Sequence, residues 1–277
     1  MVEPDARRLF RTDLDGADGD IDLARAALHV AMEEQPTLDV EQYVARLDSL
    51  AESIAPELAA FPAPVDAIAR MRELFARERF RGNEMDYFDP ANSFLDQVLE
   101  RRVGIPLTLS IVYLEVGWRC GLPLAGVGFP GHFIVKYVER GGEQFIDPFE
   151  GARSITVAEL GGRISAMFGP DATLRPEHLA AATKREMLVR LNANLKTVYT
   201  ERGDFTRALA ATERILLLMP DATEEIRDRG LLYLGLQAYR LAADDLERYL
   251  AERPTADDAS VVREQLYVAS RERVRLN

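Results

Sequence analysis

Between residues 20 and 79 apolar side chains return every three or four positions. Leu23, Ala26, Ala27, Val30 and Ala31 form one set, and Val40, Tyr43, Val44, Leu47 and Leu50 form a second. This rhythm places one apolar stripe on each of two helices. A third helix is predicted over 65–75, entered after Phe61-Pro62-Ala63-Pro64. The stretch 83–92 is rich in turn formers and contains Tyr87-Phe88-Asp89-Pro90. It leads to a short helix over 94–101, for which Asn92 or Ser93 is the expected N-cap. The next helix, over 106–119, is apolar on nearly every face: Leu107, Leu109, Ile111, Val112, Leu114, Val116 and Trp118 leave little room for a wet side. Pro106 suits its first turn, where a missing N–H costs nothing. Glu115 and Arg119, four apart, are expected to pair. After Gly121-Leu122-Pro123 the period becomes strand-like over 124–129, 132–138 and 143–146, with Arg140-Gly141-Gly142 as the hairpin connection. A buried helix beside a small antiparallel sheet is an α+β pattern.

From about Arg175 onward the pattern is helical, and it repeats. Tyr199, Ala208, Glu213-Arg214 and Pro220 recur as Tyr233, Ala242, Glu247-Arg248 and Pro254, every pair offset by 34 residues. That is the period of the tetratricopeptide repeat, a pair of antiparallel helices. Ala208 and Ala242 fall where paired helices approach closely. The first unit departs from the pattern in carrying Lys196 where the second has Gly230. Two units are fewer than a free-standing stack needs, so flanking helices are expected to complete it, with a cap after Asp257. The chain is therefore divided into residues 1–174 and 175–277.

At 277 residues the chain can bury two modest cores. Forty-six acidic residues against 34 Lys and Arg argue against a nucleic-acid surface, which needs clustered cations. A single cysteine, Cys120, rules out an internal disulfide and a cysteine-based zinc cluster. No stretch of about 18 uncharged apolar residues offers a membrane span, and the opening residues lack the apolar core of a signal peptide. A cytoplasmic protein without metal or cofactor is expected. The acidic loop from Asp13 to Asp22 fails the calcium-loop spacing, because Ala17 and Asp18 fall on a ligand position and the obligatory glycine. It reads as a solvated loop ending in an aspartate N-cap. His29 and His178 read as helix-surface residues.

Chemistry concentrates in 128–149, where Gly128-Phe129-Pro130-Gly131-His132 opens one strand and Ile146-Asp147-Pro148 closes the next. A carboxylate on one strand can hold an imidazole on its neighbour and orient the free nitrogen toward a substrate. His132 and Asp147 thus suggest two-thirds of a nucleophile–His–Asp triad. A structural reading, with Asp147 orienting an imidazole that closes the hairpin, stands beside it.

Helix, strands, His and Asp in this order resemble the transglutaminase-like (papain-related) core. The wording resembles a bacterial family that joins such a core to tetratricopeptide repeats, its members often named as regulators of invasion-gene expression in enterobacteria. The matching stretches are Asn92-Ser93-Phe94-Leu95, Gly104 through Ser110, Gly121-Leu122-Pro123, Gly126 through Phe133, Ile146-Asp147-Pro148 and Arg227-Asp228-Arg229-Gly230. The resemblance implies N-terminal helices and a transglutaminase-like core with a small antiparallel sheet, followed by an all-α repeat region. It matches His132 and Asp147 to the catalytic His and Asp, and puts the cysteine position on or beside Pro106, so that the nucleophile is absent. Cys120 lies 14 residues further on, roughly 21 Å along a helix, at the end where the dipole disfavours a thiolate. Thr108 and Ser110 lie nearer the right end, and a histidine can activate a hydroxyl; both can equally bond to backbone. Asn92, Pro106, Thr108 and Ser110 are the cleft candidates. The leading expectation is a pseudoenzyme that binds a protein or peptide through the repeat groove and the old cleft. The alternative is a hydrolase or acyltransferase using His132 and Asp147 with Ser110, Thr108 or water. A purely structural scaffold is a third option.

Overall fold

The computed structural model describes residues 5–60, 63–139 and 142–275. They form two compact units, 1–187 and 188–277.

The first unit begins with four helices, α1 (Asp5–Asp13), α2 (Leu23–Met32), α3 (Val40–Ala60) and α4 (Pro64–Glu78). The helix predicted over 65–75 is α4, which runs three residues beyond its predicted end, and Phe61-Pro62 lies outside the described residues. Asp22 caps α2 as expected, accepting from the Arg25 N–H at 2.9 Å. The loop before it is not merely solvated. The Asp18 carboxylate accepts from the N–H groups of Lys184 and Arg185, two unpaired donors at the start of a later helix.

After β1 (Arg81–Gly82) come α5 (Leu95–Arg101), β2 (Val103–Gly104), parallel to β1, and α6 (Pro106–Arg119). Helix α6 is buried from Pro106 through Gly117, as its all-round apolar sequence requires. Helices α2, α3 and α5 and two strands of the main sheet pack around it. Its polar residues are satisfied at its far end. Glu115 pairs with Arg119 as the spacing predicted and accepts from the Ala24 N–H, while Arg119 also reaches Asp48 at 2.6 Å. Burial pushes the Glu115 carboxyl up, against the Arg119 guanidinium that favours its charged form.

The main sheet is built from β3 (Leu124–Val127), β4 (Ile134–Glu139), β5 (Gly142–Asp147), β6 (Arg153–Ile155), then α7 (Val157–Phe168) and β7 (Ala181–Ala182). Its order is β6-β5-β4-β3-β7, every neighbour antiparallel. Three strands were expected and five are present. Residues 175–183 are therefore not helical throughout: a 3-10 turn at Pro176–Leu179 leads into β7. The expected hairpin connection keeps only Gly142 within the described residues, where it opens β5. One sheet face presents Ile134 and Phe145 to Leu160 and Ile164 of α7; by alternation Val135 and Ile146 point to the other face, where α6 lies.

The second unit is all helical. Helix α8 (Lys184–Glu201), whose first residues belong to the first unit, is followed by α9 (Phe205–Leu218), α10 (Thr223–Gly235), α11 (Tyr239–Glu252) and α12 (Ala259–Arg275). The 34-residue offset corresponds to two helical hairpins, α8–α9, joined where Arg214 donates to Asn192 at 2.6 Å, and α10–α11, with α12 packed on the second as the expected cap. Ala208 and Ala242 are fully buried. Lys196, at the position of Gly230, turns its ammonium onto Glu225 (2.8 Å) and Asp228 (2.7 Å) of α10.

Tyr113 of α6 packs against Phe75, yet its buried hydroxyl has no hydrogen-bond partner among the described residues. An unsatisfied buried hydroxyl costs about 1–3 kcal/mol. Tyr113→Phe is therefore expected to stabilise the fold by about 1 kcal/mol, read as a higher urea midpoint. A midpoint that falls would show the hydroxyl to be satisfied in solution.

Candidate functional site

The turn before β4 places the first functional side chain. Gly131 sits at φ +67°, a left-handed conformation that glycine adopts without steric cost, and the His132 N–H closes the turn onto the Phe129 carbonyl. His132 therefore lies two residues ahead of β4, not inside a strand as its sequence pattern suggested. Asp147 is the last residue of β5, one beyond Ile146, which pairs with Val135, so that the register extended by one residue brings it level with Ile134. A side chain two residues before Ile134 returns to the same face, so imidazole and carboxylate meet.

His132 Nε2 lies 2.8 Å from Asp147 Oδ2, with the carboxylate 0% exposed and the imidazole 15% exposed. The other carboxylate oxygen accepts from the N–H groups of Phe149 and Glu150. Arg163 of α7 joins in, donating to Asp147 at 3.3 Å and to Glu150 at 2.7 Å. Burial pushes the Asp147 carboxyl up, but its bond to His132, the His132 and Arg163 charges and the Glu150 N–H outweigh it. They hold the group below the usual carboxylate range. Among the described residues Nδ1 of His132 makes no hydrogen bond, so it is the nitrogen open to a proton or a substrate.

The Phe149 ring stands edge-on to the imidazole at 5.9 Å and leans on Tyr87 at 6.3 Å. Gly82 lies directly beneath it, where a Cβ would come within 2.5 Å of the ring. Arg163, Phe149 and Glu150 were not anticipated from sequence.

The four cleft candidates form a different cluster. Asn92 is fully buried but does not cap α5, whose N-cap is Phe94 without a side-chain bond. Its amide instead donates to the Asp86 and Tyr87 carbonyls at 2.7 and 3.2 Å and accepts from Asn83 at 3.0 Å. Thr108 donates to the Asn92 carbonyl at 2.7 Å and accepts from the Ile105 N–H at 3.2 Å. Pro106 is buried in the first turn of α6. Ser110 reaches the Phe133 carbonyl at 3.5 Å, next in sequence to His132 but not its ring. Cys120 ends α6, half-buried against the Ala51 carbonyl, and burial pushes its thiol up.

The remaining histidines depart from expectation in one case. His29 is buried, not on a helix surface, and its Nδ1 meets Asp13 at 2.5 Å, tying α2 to α1. His178 lies in the 3-10 turn and accepts from the Arg175 N–H. Among the described residues no three His, Cys, Asp or Glu side chains are placed to share a metal ion.

With this geometry in view, residues 41–193, more than half of the chain, match the Transglutaminase-like superfamily. The chain belongs to that superfamily. Residues 195–267 match the Tetratricopeptide repeat. A "UPF0162 protein" of Xylella fastidiosa (strain 9a5c) is 38% identical over 261 residues, 93% of each chain. Another from Vibrio cholerae is 33% identical over 204 residues, covering 73% of this chain and 75% of the relative. "Protein SirB1" of Salmonella typhimurium is 28% identical over 244 residues, 87% of this chain and 89% of its own. No solved structure matches. Among the described residues no helix is long and apolar enough to cross a membrane.

In this superfamily member the depressed Asp147 carboxyl has a consequence for acid stability. The unfolded chain binds its proton near the ordinary 3.8, the folded chain only below it. The contribution of Asp147 is thus complete above that value and is lost as pH falls through the folded value. Urea unfolding from neutral pH down to the onset of acid unfolding should show Asp147→Asn less stable than wild type at neutral pH, the gap narrowing as acid is added. A gap that widens in acid would contradict the assignment.

Proposed function

We propose that this protein is a non-catalytic, cytoplasmic protein- or peptide-binding module with a regulatory role. The observation that carries the reading is how the candidate nucleophiles are used. His132 and Asp147 are paired, while the Thr108 and Ser110 hydroxyls bond to backbone groups and the only thiol ends the helix far from Pro106. The resemblance that assigns a cysteine position to Pro106 supports the same conclusion. On this reading His132 and Asp147 are an inherited pair retained for structure or ligand binding, beside the separate buried cluster of Asn92, Pro106, Thr108 and Ser110.

The repeat unit supplies the second half of the reading. A cavity of about 370 Å³ opens between α8 and α10, lined by Lys196, Thr200, Phe205, Asp228, Leu231 and Leu232. Apolar walls with a few charged groups suit a peptide held by one or two side chains. The regulatory part rests on how members of the resembled family are named.

The rival reading, a hydrolase or acyltransferase, draws on one specific feature: an imidazole oriented by a buried carboxylate with one nitrogen open. Profiling with amide and ester substrates separates the two. No turnover above background is expected from wild type or from His132→Ala. Turnover present in wild type and abolished in His132→Ala would overturn the non-catalytic reading. For the groove, Leu231→Glu should weaken partner capture at least about tenfold, the loss typical of a central interface anchor, while His132→Ala leaves the repeat-borne share intact.

A further inference from the structure

We infer that the exposed turn 84–89 beside His132 docks a basic amphipathic peptide segment of a partner protein. The inference rests on the binding-module reading above and names the chemistry that one of its surfaces selects.

The turn combines exposure with fixed shape. Met85 is 99% exposed, Phe88 54% and Tyr87 41%. Large apolar side chains in water are usually scattered, whereas here three fall within four residues. The backbone beneath them is pinned. Asn83 Oδ1 accepts from the Asp86 N–H at 3.1 Å, and the buried Asn92 amide holds the Asp86 and Tyr87 carbonyls. A buried polar side chain committed to such a turn presents it in one conformation, so binding there loses little conformational entropy.

The turn is also continuous with the His132 ring. Phe88 lies 5.5 Å from Tyr87, Tyr87 lies 6.3 Å from Phe149, and Phe149 lies 5.9 Å from His132. This row of rings can accept large apolar side chains of an incoming segment.

Charge decides the kind of segment. No Lys or Arg occurs between Asn83 and Glu100. Glu84 and Asp86 are exposed, and their carboxylates have no hydrogen-bond or ion-pair partner among the described residues. Nearby Asp89 is balanced by Arg101, and Glu150 by Arg153 and Arg163. Within the turn itself the uncompensated charge is negative and sits between the apolar side chains, with the exposed Arg81 standing just before it. It favours Lys or Arg interspersed with large apolar residues, and it repels nucleic acid, anionic lipid and a second copy of the same acidic turn.

The test is selection of a random dodecamer display library on the full-length protein, followed by titration of the enriched peptides. Enriched sequences should combine Lys or Arg with Leu, Phe or Trp, and their affinity should fall with added salt. It should fall at least about tenfold in a Met85→Ser, Phe88→Ser double variant, as for loss of interface anchors, and severalfold in a Glu84→Gln, Asp86→Asn variant. Both pairs are exposed, so the fold should be unchanged by circular dichroism. Peptides that are neutral or acidic, or that ignore the double variant, overturn the inference. So does co-flotation with phosphatidylglycerol vesicles that the double variant abolishes. Peptides sensitive only to Leu231→Glu would leave the binding-module reading standing and sink this one. A library that enriches nothing would sink both.

Discussion

Helix α6 is buried on all sides, and the first unit is arranged around that requirement. A helix with no wet face must be covered by neighbours and must still satisfy the polar groups at its two ends. At one end Glu115 and Arg119 take up a network reaching Ala24 and Asp48. At the other, Thr108 accepts from the Ile105 N–H and donates a hydrogen bond to the Asn92 carbonyl. Asn92 in turn fixes the backbone of 83–92. A local need to finish a helix thus sets the position of a surface turn, and through Tyr87 and Phe149 the surroundings of His132.

The sheet contributes the second constraint. Removing the Asp147 carboxylate from water is costly unless its oxygens are bonded. Two backbone N–H groups, His132 and Arg163 supply those bonds. The same set that makes the buried charge tolerable orients the imidazole. The pair therefore has a structural reason to exist that is independent of any reaction.

Much of this was legible in the sequence, for identifiable reasons. The extent of α6 follows from its unbroken apolar run and Pro106, and the paired helices from an offset kept at several positions. The meeting of His132 and Asp147 follows from strand alternation, although His132 itself precedes its strand. Less visible was α7, which supplies Arg163. Its signal was present: Thr156 and Glu159 form a capping box, with Thr156 accepting from the Glu159 N–H and the Glu159 carboxylate accepting from Thr156. Strands β6 and β7 are three and two residues long, too short for periodicity to register. Asn92 was misread because an asparagine before a helix suggests a cap, whereas here it serves the turn behind it. His29 was misread because the stripe of α2 gives no sign of the carboxylate that α1 brings to it.

The non-catalytic reading acquires a physical basis at the start of α6. A nucleophile placed there would draw its reactivity from unpaired N–H groups and the positive end of the helix dipole. Pro106 contributes no N–H, and the Ile105 N–H is taken by Thr108, whose hydroxyl donates to the Asn92 carbonyl. The donors that would stabilise an anion are thus partly removed and partly spent on holding the 83–92 turn. On this reading the helix end does not wait for a missing thiol. Its polar groups hold the 83–92 turn, on which Met85, Tyr87 and Phe88 are exposed. Asn92, Pro106 and Thr108 thus couple the start of α6 to the backbone of the 83–92 turn.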